Sequence, residues 1–229
     1  MTPPFQVAGA TSPWFPRQTW AGSPCHLVIA LLLVLTGCHP MPPGDLVKVK
    51  DSEVILLRGW RDMYSDGINE LATRIEAEGY RTAVYGEAQW KDVADALIVR
   101  GYATRKQDFV LIGFSYGADH AIDVARRLKD TNLHTPLLIT LDPVTPPKVP
   151  NSVWKTYNYY QSDFWDFLPW FRGIPLKVEP GYVTVDNIDV HDRPDLDDPS
   201  MSHKTIAGSE KIHREIIAKI KKQFPRGKM

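Results

Sequence analysis

The stretch that decides the fold is VLIGFSYGAD, residues 110–119. An apolar run stops at Gly113, one hydroxyl stands at Ser115 between Gly113 and Gly117, and a helical pattern follows. Ala118, Ala121, Ile122, Ala125 and Leu128 give that pattern a single apolar stripe. The spacing predicts a strand that breaks into a helix at Ser115. Such a corner is sterically tight, and a Cβ at either glycine would press on the neighbouring elements. The serine oxygen is then lifted above the sheet edge. The following N–H, on Tyr116, faces the same space, and the helix N-terminus adds partial positive charge there. The bland alternative is an ordinary tight turn with a capping serine.

Outward from this corner, β-rich runs alternate with amphipathic ones. Residues 53–58 (EVILLR), 82–86 (TAVYG), 109–113 (FVLIG), 136–142 (PLLITLD), 153–161 (VWKTYNYYQ) and 182–190 (YVTVDNIDV) read as six strands. Ile68, Leu71, Ala72 and Ile75 mark a helix that Gly79 could end. Trp90, Val93, Ala94 and Leu97 mark a second helix, with Gly101 after it. Ile212, Ile216, Ile217 and Ile220 mark the last, before Pro225. The implied fold class is α/β: three αβα layers around a mostly parallel sheet of about six strands. Ligands of such sheets collect at the carboxyl ends of the strands, which makes the loops there the ones to search.

A serine hydroxyl needs a base to become a nucleophile, and the base needs a carboxylate to orient it. Of seven histidines, His26 and His39 lie near the N-terminus. His120 sits on the helix leaving the corner, His134 is at the wrong end of the sheet, and His213 falls on the expected solvated face of the last helix. His203, in the loop before that helix, is the candidate base and His191 the alternative. Asp142 ends a strand that Pro143 stops, and is the candidate acid. Asp189, ending a later strand, is its rival. Donors for an oxyanion are expected from the N–H of Tyr116 and, after the first strand, from that of Trp60, where Gly59 lets the backbone turn closely. An imidazole base implies activity that falls as pH drops through the usual histidine range, near about 6.5. The acidic loop 192–198 lacks the alternating ligands and glycine of a calcium loop, so no metal is expected.

Together LLRGW, IGFSYGAD, TLDPV and SHKTI resemble, in order and spacing, a small α/β-hydrolase over about residues 52–222. The acid on the strand after the corner is more similar to thioesterase-type members, and the size to the minimal, cutinase-like form, which lacks the first antiparallel strands and any large cap. The resemblance implies a serine hydrolase acting on a small-molecule carboxylic ester or thioester, with no cofactor. Alternatives on the same framework are an acyltransferase and a non-catalytic envelope lipoprotein that uses the fold as a binding module.

Charge is balanced, with 27 basic and 27 acidic residues and a sequence pI near 7.1, which argues against a nucleic-acid partner. The only two cysteines, Cys25 and Cys38, lie near the N-terminus. Residues 27–38 (LVIALLLVLTGC) hold an apolar run too short to span a bilayer, which takes about 20 residues. It fits the core of a secretory signal, and LTGC resembles the lipobox of bacterial lipoproteins, which implies lipidation of Cys38. The plainer alternative is a buried apolar segment with a chance cysteine. The expected organisation is therefore a signal and lipobox region over 1–38, a tether over 39–51 and a domain over 52–229, held at the bacterial envelope by a lipid anchor or secreted. DFWDFLPWF (163–171) carries five aromatics in nine residues on the expected active-site side. It reads equally as an apolar lid or as a packing segment.

Overall fold

The computed structural model describes residues 48–162, 173–181 and 183–226. The apolar run 27–35, Cys38, tether residues 39–47, the aromatic stretch 163–171 and Tyr182 lie outside the described residues. By contacts the chain divides into Met1–Gly37 and Cys38–Met229, and all the described residues belong to the second unit. No helix among them is long and apolar enough to cross a membrane.

Six strands form one sheet: β1 (Val54–Leu57), β2 (Thr82–Tyr85), β3 (Val110–Phe114), β4 (Thr135–Leu141), β5 (Val153–Tyr160) and β6 (Thr184–Asp189). Their order is β2-β1-β3-β4-β5-β6, and every pairing is parallel. Strands β1, β3 and β4 are buried along their whole length, as expected of strands covered on both faces. β6 at one edge is largely open.

Alternate residues of each strand enter opposite cores. Ile55, Leu57, Leu111 and Leu138 pack with Val93 and Leu97 of α2 (Trp90–Thr104) and with Ile122, Ala125 and Leu128 of α3 (Tyr116–Lys129). Val54, Leu56, Ile112, Ile139 and Leu141 pack with Ile68, Leu71 and Ile75 of α1 (Asp66–Ala77) and with Ile212, Ile216 and Ile220 of α4 (Glu210–Gln223). Period-2 strands between period-3.6 stripes thus build the three layers. Each buried Leu or Ile contributes about 1.5–3 kcal/mol of apolar transfer.

Three sequence expectations need adjusting. The second helix does not end at Gly101; it runs on to Thr104, and Arg105 caps it in the left-handed region (φ 55°). Gly101 faces Leu133, and a Cβ there would meet Leu133 Cδ1 at 2.8 Å. The glycine therefore serves packing rather than termination. Residues 48–51 are helical and Val49 is wholly buried with the α2–α3 core, so packing begins before residue 52. His213 is not on a solvated face. It is wholly buried, and its Nε2 donates to Ala207 O at 2.6 Å.

Candidate active site

The corner forms as the glycine spacing requires. Ser115 adopts φ 57°, ψ −128°, between the end of β3 and the first turn of α3. A Cβ on Gly113 would overlap Gly117 O and the Ala118 backbone, and one on Gly117 would overlap the carbonyl oxygens of Arg58 and Leu57. Helix α3 therefore packs directly on β1 and β3, which a side chain at either position would prevent. The strained residue is held from both sides: Ser115 N donates to Leu141 O at 2.9 Å, and Ser115 O accepts from Ala118 N at 2.9 Å. Unfavourable backbone geometry of this kind persists only where the surroundings fix it.

Asp142 follows Leu141, one strand over, also with positive φ (47°). Its N–H donates to Tyr159 O at 2.8 Å, and the side chain has no exposure. The carboxylate faces donors only: Gln161 N at 3.0 Å, Gln161 Nε2 at 3.2 Å and His203 Nδ1 at 3.1 Å. Burial pushes the Asp142 carboxyl above its ordinary range, while His203 and Gln161 oppose that shift. Three donors select the ionised, acceptor-only form, and that form fixes the proton of His203 on Nδ1.

His203 reaches the sheet edge from the loop between β6 and α4. Its Nε2 lies 3.0 Å from Ser115 Oγ, so the hydroxyl donates to the free imidazole nitrogen. The Phe114 ring lies 5.2 Å from the His203 ring, centroid to centroid, and walls one side. The 3-10 turn Ile206–Gly208 anchors the loop: Ile206 and Ala207 are buried, and His213 holds Ala207 O. Ser115, His203 and Asp142 thus meet in one hydrogen-bonded line at the carboxyl edge.

The loop after β1 supplies the opposite wall. A Cβ on Gly59 would come to 3.2 Å from both Ser115 Cβ and Phe114 Cδ1, a contact to which the neighbours would have to yield by a few tenths of an ångström. Trp60 opens a short 3-10 turn, Trp60–Asp62, and Tyr116 opens α3. As first residues of helical turns, neither N–H has an intrahelical acceptor. Ser65 shapes this loop: its Oγ accepts from Gly59 N at 3.0 Å and donates to Met63 O at 3.1 Å.

The alternative residues are used otherwise. Asp189 accepts from Ser162 Oγ and, at 3.1 Å, from His191 N, capping the turn Val190–Asp192. His191 Nδ1 pairs with Asp197 Oδ1 at 3.0 Å, and both side chains are more than a third exposed. His120 pairs with Asp123 and stacks on Trp90. Among the described residues no group of three or more His, Cys, Asp or Glu is arranged to hold a metal ion.

Sequence reasoning missed several supporting residues. Asp119, almost wholly buried on α3, accepts from Val144 N (3.1 Å), Thr145 N (2.8 Å) and Thr145 Oγ1 (3.1 Å). It therefore pins the chain just beyond Asp142. Burial raises its carboxyl to about 6, against the lowering effect of those hydrogen bonds. Thr140, Asn158 and Asn187 are register partners across β4, β5 and β6 and form a polar ladder. The ladder holds Ile174 O and both polar backbone groups of Leu176, which brings Gly173 against Asp142 Oδ1. Asp119 had one visible signal, an acid on the apolar face of a helix. The ladder had none before register was known.

No protein-family model matches the chain, and no curated protein matches it. It is similar to several solved structures. RedJ, a thioesterase from the prodiginine biosynthetic pathway of Streptomyces coelicolor, has 13% identity over 96% of this chain and 97% of that one, with a TM-score of 0.43. A putative α/β-superfamily hydrolase from Xanthomonas campestris has 13% identity over 75% and 98%, with a TM-score of 0.37. An extracellular α/β-hydrolase from a Paenibacillus species has 16% identity and a TM-score of 0.29, and this chain spans 42% of its length, with 42% of this chain covered. At such identities and scores the likeness carries no argument about chemistry, which rests on the site's own geometry.

Proposed function

We propose that the protein is a serine hydrolase that cleaves a carboxylic ester or thioester through an acyl-enzyme on Ser115. The observation that carries this reading is the relay itself: Ser115 Oγ to His203 Nε2 at 3.0 Å, and His203 Nδ1 to Asp142 Oδ2 at 3.1 Å. Ser115 Oγ attacks the acyl carbonyl as His203 takes its proton. Asp142 keeps the imidazole in the required tautomer and stabilises the imidazolium that forms. Negative charge growing on the carbonyl oxygen is met by the N–H groups of Tyr116 and Trp60, beside the positive end of α3. His203 returns the proton to the leaving group. A water, deprotonated by the same imidazole, then releases the acid.

An acyl substrate is favoured by the lip of the site. Trp60, Met63 and Tyr64 are all exposed on the loop that begins at Gly59. Lys204, next to His203, lies 5.1 Å from the centre of the Tyr64 ring, which puts this apolar surface beside the base. A panel of esters and thioesters of increasing acyl length tests the reading on wild type and Ser115→Ala. Turnover that vanishes in the variant supports it; equal turnover in both overturns it.

The location belongs to the same proposal: an envelope enzyme anchored by lipid on Cys38. Labelling cells with a clickable fatty acid is expected to tag the wild type and not Cys38→Ser. Equal labelling of both would remove the anchor from the account.

A further inference from the structure

Asp142 accepts from Gln161 as well as from His203. Oδ1 takes the Gln161 backbone N–H at 3.0 Å, and Oδ2 is shared between His203 Nδ1 (3.1 Å) and Gln161 Nε2 (3.2 Å). Gln161 is 1% exposed, and its other amide atom, Oε1, has no hydrogen-bond partner among the described residues. A buried carbonyl without a partner is costly, so the residue's place is not explained by its own satisfaction. The orientation that leaves Oε1 alone is the one that turns the donor to the carboxylate, as an acceptor-only group requires.

We infer that Gln161 is a positioning residue that tempers the base: by donating to the oxygen that His203 uses, it limits the charge Asp142 presents to the imidazole. The inference rests on the reading of Ser115, His203 and Asp142 as an acyl-transfer site. A carboxylate that has already accepted a strong donor is a weaker stabiliser of an imidazolium beside it. Without Gln161, Asp142 would present its whole charge to the imidazole and hold the imidazolium more strongly.

The charged groups on the surrounding elements have other partners. Asp119 on α3 accepts from Val144 and Thr145. Asp189 at the end of β6 accepts from Ser162 and His191. Arg58 after β1 donates to Asn69 and pairs with Asp62, and Lys204 lies over Tyr64. Gln161 is the neutral group that touches both oxygens of the Asp142 carboxylate, including the one on which the imidazole depends.

The test is Gln161→Met in the full chain. This change removes the donor and the unpartnered carbonyl together, so thermal stability is expected to stay close to wild type. The acid limb of kcat/KM is expected to move up by about half a pH unit or more, with kcat on the plateau reduced severalfold and KM little changed. Gln161→Asn, one methylene short of Asp142, serves as a second variant with the same expected upward shift. The His203 ring titration followed by NMR reads the effect without any turnover. A folded variant of either kind whose acid limb and ring titration both stay at the wild-type position overturns the inference. Equal turnover by Ser115→Ala and wild type would instead sink the hydrolase reading, and the ring titration would still decide the role of Gln161.

Discussion

Two sets of aspartate and histidine stand at the carboxyl ends of β4 and β6, with β5 between them, and they differ in burial and in partners. In one, Asp142 and His203 are buried, the carboxylate meets three donors, and the far imidazole nitrogen meets a serine hydroxyl at 3.0 Å. In the other, Asp189 caps a 3-10 turn while His191 pairs with Asp197 in the open. An exposed pair is screened by water and contributes about 0–1 kcal/mol. A buried line of polar groups is stronger in each bond and fixed in direction, because unmaking any bond strands a group away from water. The strand end delivers a carboxylate in both cases; burial and a serine hydroxyl in line make the difference.

Mutating the corresponding members of the two sets should break that symmetry most visibly. Ser115→Ala, and Asp142→Asn with its lost tautomer control, are each expected to lower kcat by about 10⁴-fold or more, whereas Asp189→Asn and His191→Gln should stay within about twofold of wild type, as their pairing is exposed. Steady-state ester hydrolysis reads both arms. A collapse on Asp189→Asn would reverse the assignment.

A smaller effect is expected at the wall of the buried set. Gly59→Ala puts a methyl 3.2 Å from Ser115 Cβ and Phe114 Cδ1, which presses the Trp60 loop and the Ser115 corner apart by a few tenths of an ångström. A fall in kcat of about tenfold is the expected result, since a lost oxyanion donor alone costs about 10²–10³ and a displaced one less. Unchanged kcat would detach this loop from the oxyanion.

Asp119 sharpens the comparison from behind the site. Asp119→Ala leaves Val144 N, Thr145 N and the Thr145 hydroxyl without their acceptor, which should lower stability by about 1–3 kcal/mol in denaturant titration. No loss would mean that water replaces the carboxylate freely.

The smallest effect concerns His213, a third histidine, buried, whose Nε2 bonds the Ala207 carbonyl. Burial lowers its affinity for protons from the ordinary value of 6.5, and its Nδ1 has no partner among the described residues. A lowered value means that the contribution of the neutral ring to stability is complete above the ordinary histidine range. It is lost as pH falls through that range toward the lowered value. His213→Gln keeps a donor for Ala207 O and cannot titrate, so its melting temperature should fall less than that of wild type between pH 7 and 5. Parallel slopes would assign the acid sensitivity elsewhere.

How much of this could be read from sequence depends on the range of each cause. The corner at Ser115 was legible because glycine spacing and an apolar run are local, and Asp142 because Pro143 marks the strand end. The sequence also singled out His203, from the loop before the last helix. Gln161, by contrast, takes its role from the adjacency of β4 and β5, and the Thr140–Asn158–Asn187 ladder exists only in register. Gly101 misled because a glycine late in a helix reads as a stop, while here the packing of Leu133 claimed it. His213 misled because a polar ring was given to solvent, although it stands three and four residues before Ile216 and Ile217, within the stripe of Ile212, Ile216, Ile217 and Ile220.

The central claim is that Ser115 is an activated nucleophile, and a fluorophosphonate reagent tests it most directly. Reacted with folded protein and mapped by peptide mass, it should form one adduct, on Ser115, at a rate that collapses in His203→Gln. Folded protein that stays unlabelled, or labels equally fast without His203, would contradict the account.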